Sequence, residues 1–206
     1  LLHHLLRTVG PEVRIGLIAN AQGERGELLR WVLMALDQPT QPGTSYVDLF
    51  AQFQSFLISE YATGRRVILI FDEAQNLTRE TLEELRMFTN INANKDELLQ
   101  LVLVGQPELR VMIHRPDLTQ FAQRVAASFH LTTMDARTVR AYIAHRLHMA
   151  GAQYEIFSPG AAVAIHAATQ GVPRLVNQLC DTALVYGYAE QRDRIDAELM
   201  AEVIRD

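Results

Sequence analysis

Two continuous apolar runs constrain the fold of this chain more than any other feature. Val67 to Phe71 is one run and is rich in β-branched residues, and the second, LLQLVLVG, spans residues 98–105. Such runs are typical of strands buried on both faces of a parallel sheet, because helices cover both faces of such a sheet. A third run at 13–20 is bounded by Pro11 and a turn-prone segment. The sequence therefore predicts a parallel β-sheet.

Segments with helical periodicity separate these strands. We expect helices at 1–9, 26–37, 46–64, 78–90 and 117–126, and a short strand at 128–132. This alternation favours right-handed βαβ units and a three-layer α/β core, with ligands bound at the carboxyl ends of the strands. Only helices are predicted afterwards, at 135–149, 158–169, 173–190 and 196–205. The change of pattern places a domain boundary near Thr133, between an α/β core at 1–133 and a helical domain at 134–206.

Composition argues against several classes of protein. No apolar run in the 206 residues reaches the roughly 18 residues of a membrane-spanning helix, so we expect this segment to be soluble. Cys180 is the single cysteine, which excludes an intramolecular disulfide and favours a reducing, cytoplasmic setting. The histidines have no metal-ligand spacing. A net charge of -5 disfavours a strongly basic nucleic-acid-binding module without excluding a local basic face.

Polar side chains follow both buried strands. Asp72 and Glu73 come directly after Phe71, at the mouth of the predicted sheet. In P-loop ATPases the first such carboxylate holds Mg²⁺ and the second activates the attacking water, but the pair also fits an acidic turn at a strand end. Gln106 follows the next strand, where a polar side chain can lie between a terminal phosphate and the water, or can introduce the turn at Pro107.

Two arginines are candidates for contacts with phosphate. Arg124 lies just before the predicted strand at 128–132, from where an arginine can project into the nucleotide site of a neighbouring subunit. As a lone helical arginine it also fits a solvated or salt-bridged residue. Arg174 follows Pro173 at a predicted helix start, where a cation does not complement the helix dipole. This position mildly disfavours a purely structural role, and both roles stay open.

Four segments taken together resemble the ExeA/GspA family of AAA+ secretion ATPases. They are VILIFDEAQNL, LLQLVLVGQPEL, the AQRV segment and GVPRLVNQLCDTAL, and they occur in the family's order along essentially the whole chain. The resemblance implies an α/β P-loop NTPase core of the AAA+ type, followed by a C-terminal helical lid domain. It also implies a homo-oligomer that binds ATP and Mg²⁺.

The same resemblance implies a role for each candidate residue. Asp72 and Glu73 match the Walker B pair, with Asp72 as the Mg²⁺ ligand and Glu73 as the catalytic carboxylate. Gln106 matches sensor 1, Arg124 the arginine finger and Arg174 sensor 2. Transposition ATPases of the TnsC, TniB and MuB groups share much of this pattern.

One element of the family pattern is missing from the sequence. A phosphate-binding loop needs G-x-x-x-x-G-K-[ST], but Lys95 is the only lysine and the residue directly before it is Asn94, not glycine. In the family a strand and this loop come directly before a helix resembling LLHHLLRTVGPEV, so we expect the chain to begin just after them. That strand would be central in an AAA+ sheet of order 5-1-4-3-2, and its absence predicts a gap with two unpaired apolar edges. We expect the gap to be closed by pairing of the neighbouring strands, by exchange of elements between two chains, or by a first part of a longer polypeptide.

Three functions are compatible with these observations. The first is an ATPase that assists assembly of a secretion or pilus machine in the cell envelope, and we expect these 206 residues to be inactive without the loop. The second is a DNA-transposition helper ATPase, which the acidic composition disfavours, and the third is a degenerate AAA+ module that only contacts other proteins. For all three we expect a cytoplasmic location, with any inner-membrane anchor of the longer protein outside this chain.

Overall fold

The computed structural model describes residues 2–19, 27–93 and 96–206, without the side chains of His3 and Ala93. The chain divides into two compact units, Leu1–Ser128 and Phe129–Asp206. The first unit contains the strands of the main sheet and the second is helical. Among the described helices, none combines the length and the apolar character that crossing a membrane requires.

The first unit alternates helices with strands. Its elements are α1 (Leu2–Thr8), β1 (Val13–Ala19), α2 (Glu27–Ala35), α3 (Tyr46–Ala62), β2 (Arg66–Asp72), α4 (Arg79–Phe88), β3 (Asn92–Ala93), β4 (Asp96–Glu97), β5 (Leu99–Leu103), α5 (Pro107–Ile113) and α6 (Thr119–Ala122). Ser45 and Thr78 cap α3 and α4 through their side chains, which is why sequence signals place these helix starts well. Asn20 and Gly26, at the predicted ends of β1 and α2, lie outside the described residues.

Three parallel strands form the main sheet, in the order β1-β2-β5. β2 is the central strand, and its side chains are buried on both faces: Val67, Leu69 and Phe71 on one, Ile70 on the other. This burial confirms the prediction of a parallel strand that is covered on both sides. Helices α2 and α3 pack against β1 and β2 and contribute most of the apolar core.

β5 is an edge strand among the described residues. Leu101 and Leu103 are only half-buried, because no described strand pairs with the outer edge of β5. The prediction of a fully buried strand at 98–105 is therefore wrong. In the expected sheet of order 5-1-4-3-2, β1, β2 and β5 correspond to the strands numbered 2, 3 and 4, so the open edge of β5 lies where the central strand, number 1, would pair.

The segment 128–132 was expected to close the sheet, and it is not a strand. Phe129 and Leu131 are 90% and 76% exposed and the segment pairs with no described strand. In the AAA+ order its partner would be the central strand, which the sequence does not contain. Without that partner the backbone N–H and C=O groups of this segment make no hydrogen bonds to a described neighbouring strand, so the segment is irregular.

Three short features of the first unit differ from the sequence prediction. α5 has seven residues and begins at Pro107, so it is too short to show helical periodicity. The predicted helix at 117–126 is reduced to a 3₁₀ turn at Pro116–Leu118 followed by the short α6. β3 and β4 pair antiparallel as a two-residue ladder that no turn signal had predicted.

The second unit is an assembly of four helices. They are α7 (Ala136–Met149), α8 (Pro159–Thr169), α9 (Pro173–Ala189) and α10 (Ala197–Arg205). Each agrees with its predicted span to within one residue at either end. Side chains of Asp135, Ser158 and Asp196 cap three of them by accepting hydrogen bonds from backbone N–H groups.

Cys180 lies in the core of the second unit, on α9. Burial, with a smaller contribution from the nearby Asp181 carboxylate, raises the pKa of the Cys180 thiol to about 12. The thiol is therefore neutral at physiological pH, and a neutral buried thiol is a poor nucleophile. Cys180 is a packing residue.

Candidate functional site

The acidic pair lies at the carboxyl edge of the main sheet. Asp72 is the last residue of β2 and pairs in register with Ala19, the last residue of β1. The Val104 N–H donates a hydrogen bond to the Phe71 carbonyl (2.8 Å), so the chain that leaves β5 passes the same edge. Because the strands are parallel, the residues that follow β2 and β5 meet there.

Glu73 has a left-handed backbone conformation, with φ 53° and ψ 37°. The other non-glycine residues with positive φ in the described chain, Asp37, Gln170 and Gln191, come shortly after helices, where this conformation commonly ends a helix. Glu73 instead follows a strand, and the conformation costs about 1 kcal/mol or more in a residue with a Cβ. Its N–H donates to Asp72 Oδ1 (3.0 Å). Such strain is concentrated at functional sites, which supports Glu73 as a site residue.

Gln75 belongs to this site, although the sequence pattern does not single it out. Its Nε2 donates a hydrogen bond to Glu73 Oε2 (2.6 Å), and its Oε1 accepts one from the Gln106 N–H (3.0 Å). Gln75 therefore joins the end of β2 to the loop after β5. It lies in a three-residue 3₁₀ turn, Ala74–Asn76, which is too short for periodicity to mark any residue in it.

Gln106 occupies the N-terminal cap position of α5 but makes no side-chain cap. Pro107 starts the helix, and the Gln106 carbonyl accepts from the Leu109 N–H (2.9 Å). Within the described ranges the exposed side-chain amide of Gln106 has no hydrogen-bond partner. The structure thus brings Asp72, Glu73 and Gln106 to one edge of the sheet; their roles in nucleotide chemistry stay predictions.

Arg124 does not lie with these residues. It follows α6, is exposed, and donates a hydrogen bond from Nη1 to Thr89 Oγ1 (3.1 Å). Thr89 caps the C-terminal end of α4, whereas Glu73 precedes the N-terminal end of that helix. A helix of 10 residues is about 15 Å long, and the guanidinium is held at the opposite end of α4 from the chain that leaves the acidic pair.

Arg174 lies in the second unit, in the first turn of α9. Gly171 and Pro173 set this helix start, and Gly171 has φ +71°, a conformation that favours glycine. Arg174 is exposed and forms no hydrogen bond or ion pair with any residue that the structure describes. The guanidinium is therefore available to an anion, as the sequence-based role requires.

The residues at the sheet edge fit one half of a magnesium–nucleotide site. Mg²⁺ is commonly bound by one or two carboxylates together with substrate phosphates, and Asp72 offers such a carboxylate at a fixed strand end. In the described part of the chain no group of three or more His, Cys, Asp or Glu side chains could hold a metal ion by itself. The backbone amides and lysine that cradle phosphates are missing from the sequence. The fit covers the acidic half of the site and not the phosphate cradle.

Comparison of the sequence with known proteins gives two matches that agree with this geometry. Residues 1–113 match the family described as AAA domain. The chain is also 36% identical to General secretion pathway protein A of Aeromonas hydrophila over 191 residues, which are 93% of this chain. It spans 35% of the length of that relative.

Solved structures with a similar fold include three proteins from other organisms. The Aeropyrum pernix ORC2 protein superposes with a TM-score of 0.71 at 16% identity, covering 100% of this chain and 55% of that one. Cdc6p of Pyrobaculum aerophilum gives 0.66 at 17% identity, covering 89% and 50%. The Thermotoga maritima RuvB Holliday junction branch migration motor gives 0.55 at 16%, covering 93% and 61%. At these identities the likeness shows the fold alone, and it confirms the predicted AAA+ type of α/β fold.

Proposed function

Because this chain belongs to the AAA domain family, we propose that it forms the greater part of an ATPase module in which Asp72, Glu73 and Gln106 act together on ATP. One observation supports the proposal most directly. These residues follow adjacent parallel strands and meet at one edge of the sheet, where Gln75 links two of them. Ligands bind at this edge in open α/β sheets.

Each residue at the edge has a chemical task in this proposal. Asp72 holds Mg²⁺, directly or through water, and Glu73 accepts the proton of the attacking water. Gln106 donates a hydrogen bond from its free side-chain amide to the water or to the terminal phosphate. When bound, ATP supplies the phosphoryl group and Mg²⁺ spreads the charge that develops on it.

The two arginines act on the nucleotide from other places. Arg124 is held at Thr89, at the opposite end of α4 from the chain that leaves the acidic pair, so we assign it to the nucleotide site of a neighbouring subunit. We assign the exposed guanidinium of Arg174 to contact with the phosphates of the nucleotide. The assignment of Arg124 requires a homo-oligomer.

The biological setting is proposed from the secretion relative. Its name, General secretion pathway protein A, favours a role in assembling or energising a secretion or pilus machine of the cell envelope. The net charge of -5 fits this role better than a filament on DNA, which needs a basic surface. We place the module on the cytoplasmic side, with any membrane anchor in a part of the longer protein outside this chain.

The proposal is tested by comparing this chain with a longer protein that contains it together with a phosphate-binding loop, the loop-containing protein. The 206-residue chain should show no micromolar binding of ATP·Mg²⁺ in calorimetry, since the groups that cradle the phosphates are missing. The loop-containing protein should bind and hydrolyse ATP. Its Glu73→Gln variant should bind normally and lose turnover by a factor on the order of 100 or more, because only proton acceptance is lost.

Glu80→Gln is the matched control for this substitution. Glu80 is an exposed carboxylate in the first turn of α4, so its loss should leave turnover unchanged. Normal turnover in the Glu73→Gln variant would remove Glu73 from catalysis and contradict the proposed chemistry. Micromolar binding by the 206-residue chain would contradict the assignment of the missing cradle.

A further inference from the structure

The side chain of Gln75 makes two hydrogen bonds that no role assigned above requires. It donates to the Glu73 carboxylate and accepts from the backbone of Gln106. The orientation of the amide follows from its partners, because a carboxylate can only accept and an N–H can only donate. The bridge therefore has one chemically consistent arrangement, with Nε2 on Glu73 and Oε1 on Gln106.

Gly105 leaves the space that the amide of Gln75 occupies. A Cβ at position 105 would lie 2.6 Å from Gln75 Oε1, closer than a non-bonded contact allows. It would also lie 3.2 Å from the Gln75 backbone nitrogen and 3.2 Å from Leu109 Cδ2, which neighbouring atoms can accommodate by small shifts. An alanine at 105 should therefore displace the Gln75 amide while changing the surrounding fold little.

We propose that Gln75 is a positioning residue, which holds the Glu73 carboxylate in its reactive orientation and ties it to the loop that carries Gln106. The inference rests on the proposed function and deepens it. Glu73 extends from a strained backbone into solvent, so its side chain has many rotamers unless a partner selects one. Gln75 selects one rotamer and couples it to the position of Gln106, whose own side-chain amide is exposed.

The role of the bridge in stability is small. Glu73 and Gln106 are both exposed, and a hydrogen bond between exposed groups adds little to stability because water replaces either partner. Orientation of a catalytic group is more sensitive, because a misplacement of about 1 Å can lower a rate by a factor on the order of 100. Loss of the bridge should therefore change turnover more than folding.

The experiment uses the loop-containing protein with Gln75→Leu, which has a similar size and no polar atoms. We expect kcat to fall by a factor on the order of ten, with KM for ATP within about twofold of wild type and an unchanged melting temperature. In a Glu73→Gln background the same substitution should lower residual turnover no further, because the group it positions is already disabled. Gln54→Leu, an exposed glutamine on α3, is the control and should leave kcat unchanged.

Gly105→Ala disturbs the same bridge from the other side. It should reproduce the fall in kcat, and it should add nothing when combined with Gln75→Leu. Amide hydrogen exchange of Gln106 should be about fivefold faster in both variants, since both remove its acceptor.

The outcomes separate this inference from the proposed function. If Glu73→Gln loses turnover while Gln75→Leu keeps wild-type kcat, the positioning role is overturned and the ATPase proposal stands. If Gln75→Leu lowers both stability and kcat and also raises KM, the role of Gln75 is structural and the inference is overturned. If Gln75→Leu lowers turnover further in the Glu73→Gln background, its role is independent of Glu73 and the inference is overturned as well. If Glu73→Gln keeps full turnover, the catalytic role of Glu73 in the proposed function is overturned, and the positioning role of Gln75 is overturned with it.

Discussion

Glu73 combines a carboxylate with a backbone conformation that residues with a Cβ rarely adopt. The turn needs this conformation so that the chain can leave β2 and enter the 3₁₀ turn while the Ala74 N–H still bonds to the Val104 carbonyl (2.9 Å). Asparagine tolerates left-handed backbone better than glutamate, and β-branched residues tolerate it worst. Glutamate is therefore not the residue that would stabilise this turn most. Such a loss of stability is expected where a residue is retained for its chemical activity.

Substitutions at position 73 should reveal this conflict in the folded chain itself. We expect Glu73→Asn to keep or raise the free energy of unfolding by up to about 1 kcal/mol, and Glu73→Val to lower it by about 1 kcal/mol or more. Urea denaturation measures both values. The same pair at Glu80 is the control, because Asn and Val have similar helix propensities. Equal effects of Asn and Val at position 73 would show that positive φ is not retained.

The place of the acidic residues at a strand end could be predicted from the sequence, whereas the bridge that Gln75 makes between Glu73 and Gln106 could not. Asp72 and Glu73 directly follow a run of buried apolar residues, so their place at a strand end is a local property. The contact of Gln75 with Gln106 joins residues 31 positions apart and depends on the register between β2 and β5. No local pattern encodes that register.

The turn between α8 and α9 is the most constrained connection in the helical unit. Gly171 has φ +71°, and a Cβ there would lie 1.8 Å from the carbonyl oxygen of Met134. The Met134 N–H in turn donates to the Gly171 carbonyl (3.0 Å). The turn is thereby joined to the segment that enters α7, and it fixes the start of the helix that carries Arg174.

Gly171→Ala should therefore destabilise the helical unit by about 2 kcal/mol or more, because backbone must move to admit the methyl group. Gly151→Ala is the matched control: Gly151 has φ +98° and nothing within 4 Å of the added Cβ, so only about 1–2 kcal/mol of backbone strain is expected. Thermal unfolding compares the two variants. Alkylation of buried Cys180, the single cysteine, should accelerate more in Gly171→Ala as the unit opens more often. Equal losses of stability in Gly171→Ala and Gly151→Ala would contradict the close approach of Gly171 to the Met134 carbonyl.

Helix boundaries in this chain follow local chemistry, and strand pairing does not. Asp135, Ser158 and Asp196 are short polar residues that precede α7, α8 and α10, so each start is readable from a few residues. The segment 128–132 has the composition of a strand but no partner in the described chain. Whether such a segment becomes a strand depends on a neighbour elsewhere, which is why the prediction there was wrong.

At the scale of the whole molecule, a partly buried ion pair joins α3 to the residue that precedes β2. Glu60 accepts two hydrogen bonds from Arg65, each 2.7 Å, and its side chain is only 10% exposed. The hydrogen bonds from Arg65 lower the pKa of Glu60 below its ordinary value of 4.5, despite the opposing effect of burial. The pair therefore links folding of the first unit to pH.

The direction of this linkage follows from the lowered pKa. The stabilisation is present above pH 4.5, where the unfolded carboxyl is also ionised, and it is lost as pH falls through the lower pKa of the folded state. We expect Glu60→Gln to destabilise the chain at pH 7 and to differ progressively less from wild type below pH 4.5. Urea denaturation across pH 3 to 7 measures the difference, with Glu108→Gln as an exposed control. A difference independent of pH would contradict this role.

Assembly is the largest scale at which the proposal makes a distinct claim, and it depends on Arg124. Under the proposal, a guanidinium held at Thr89, at the opposite end of α4 from the chain that leaves Glu73, completes a nucleotide site in another subunit. An Arg124→Ala variant of the loop-containing protein should therefore bind ATP nearly normally and hydrolyse it poorly. Arg110→Ala, at an exposed arginine of α5, is the control and should hydrolyse ATP at the wild-type rate.

Mixing two inactive variants tests whether Arg124 acts between subunits. Glu73→Gln subunits keep Arg124, and Arg124→Ala subunits keep Glu73, so some interfaces in a mixed oligomer join one intact carboxylate to one intact arginine. These interfaces should restore part of the lost hydrolysis, to a level that depends on the mixing ratio and is greatest when both variants are abundant. A double variant that carries both substitutions should restore nothing when it is added to either one. Mixed oligomers without any recovered activity would contradict action between subunits and favour a structural role for Arg124.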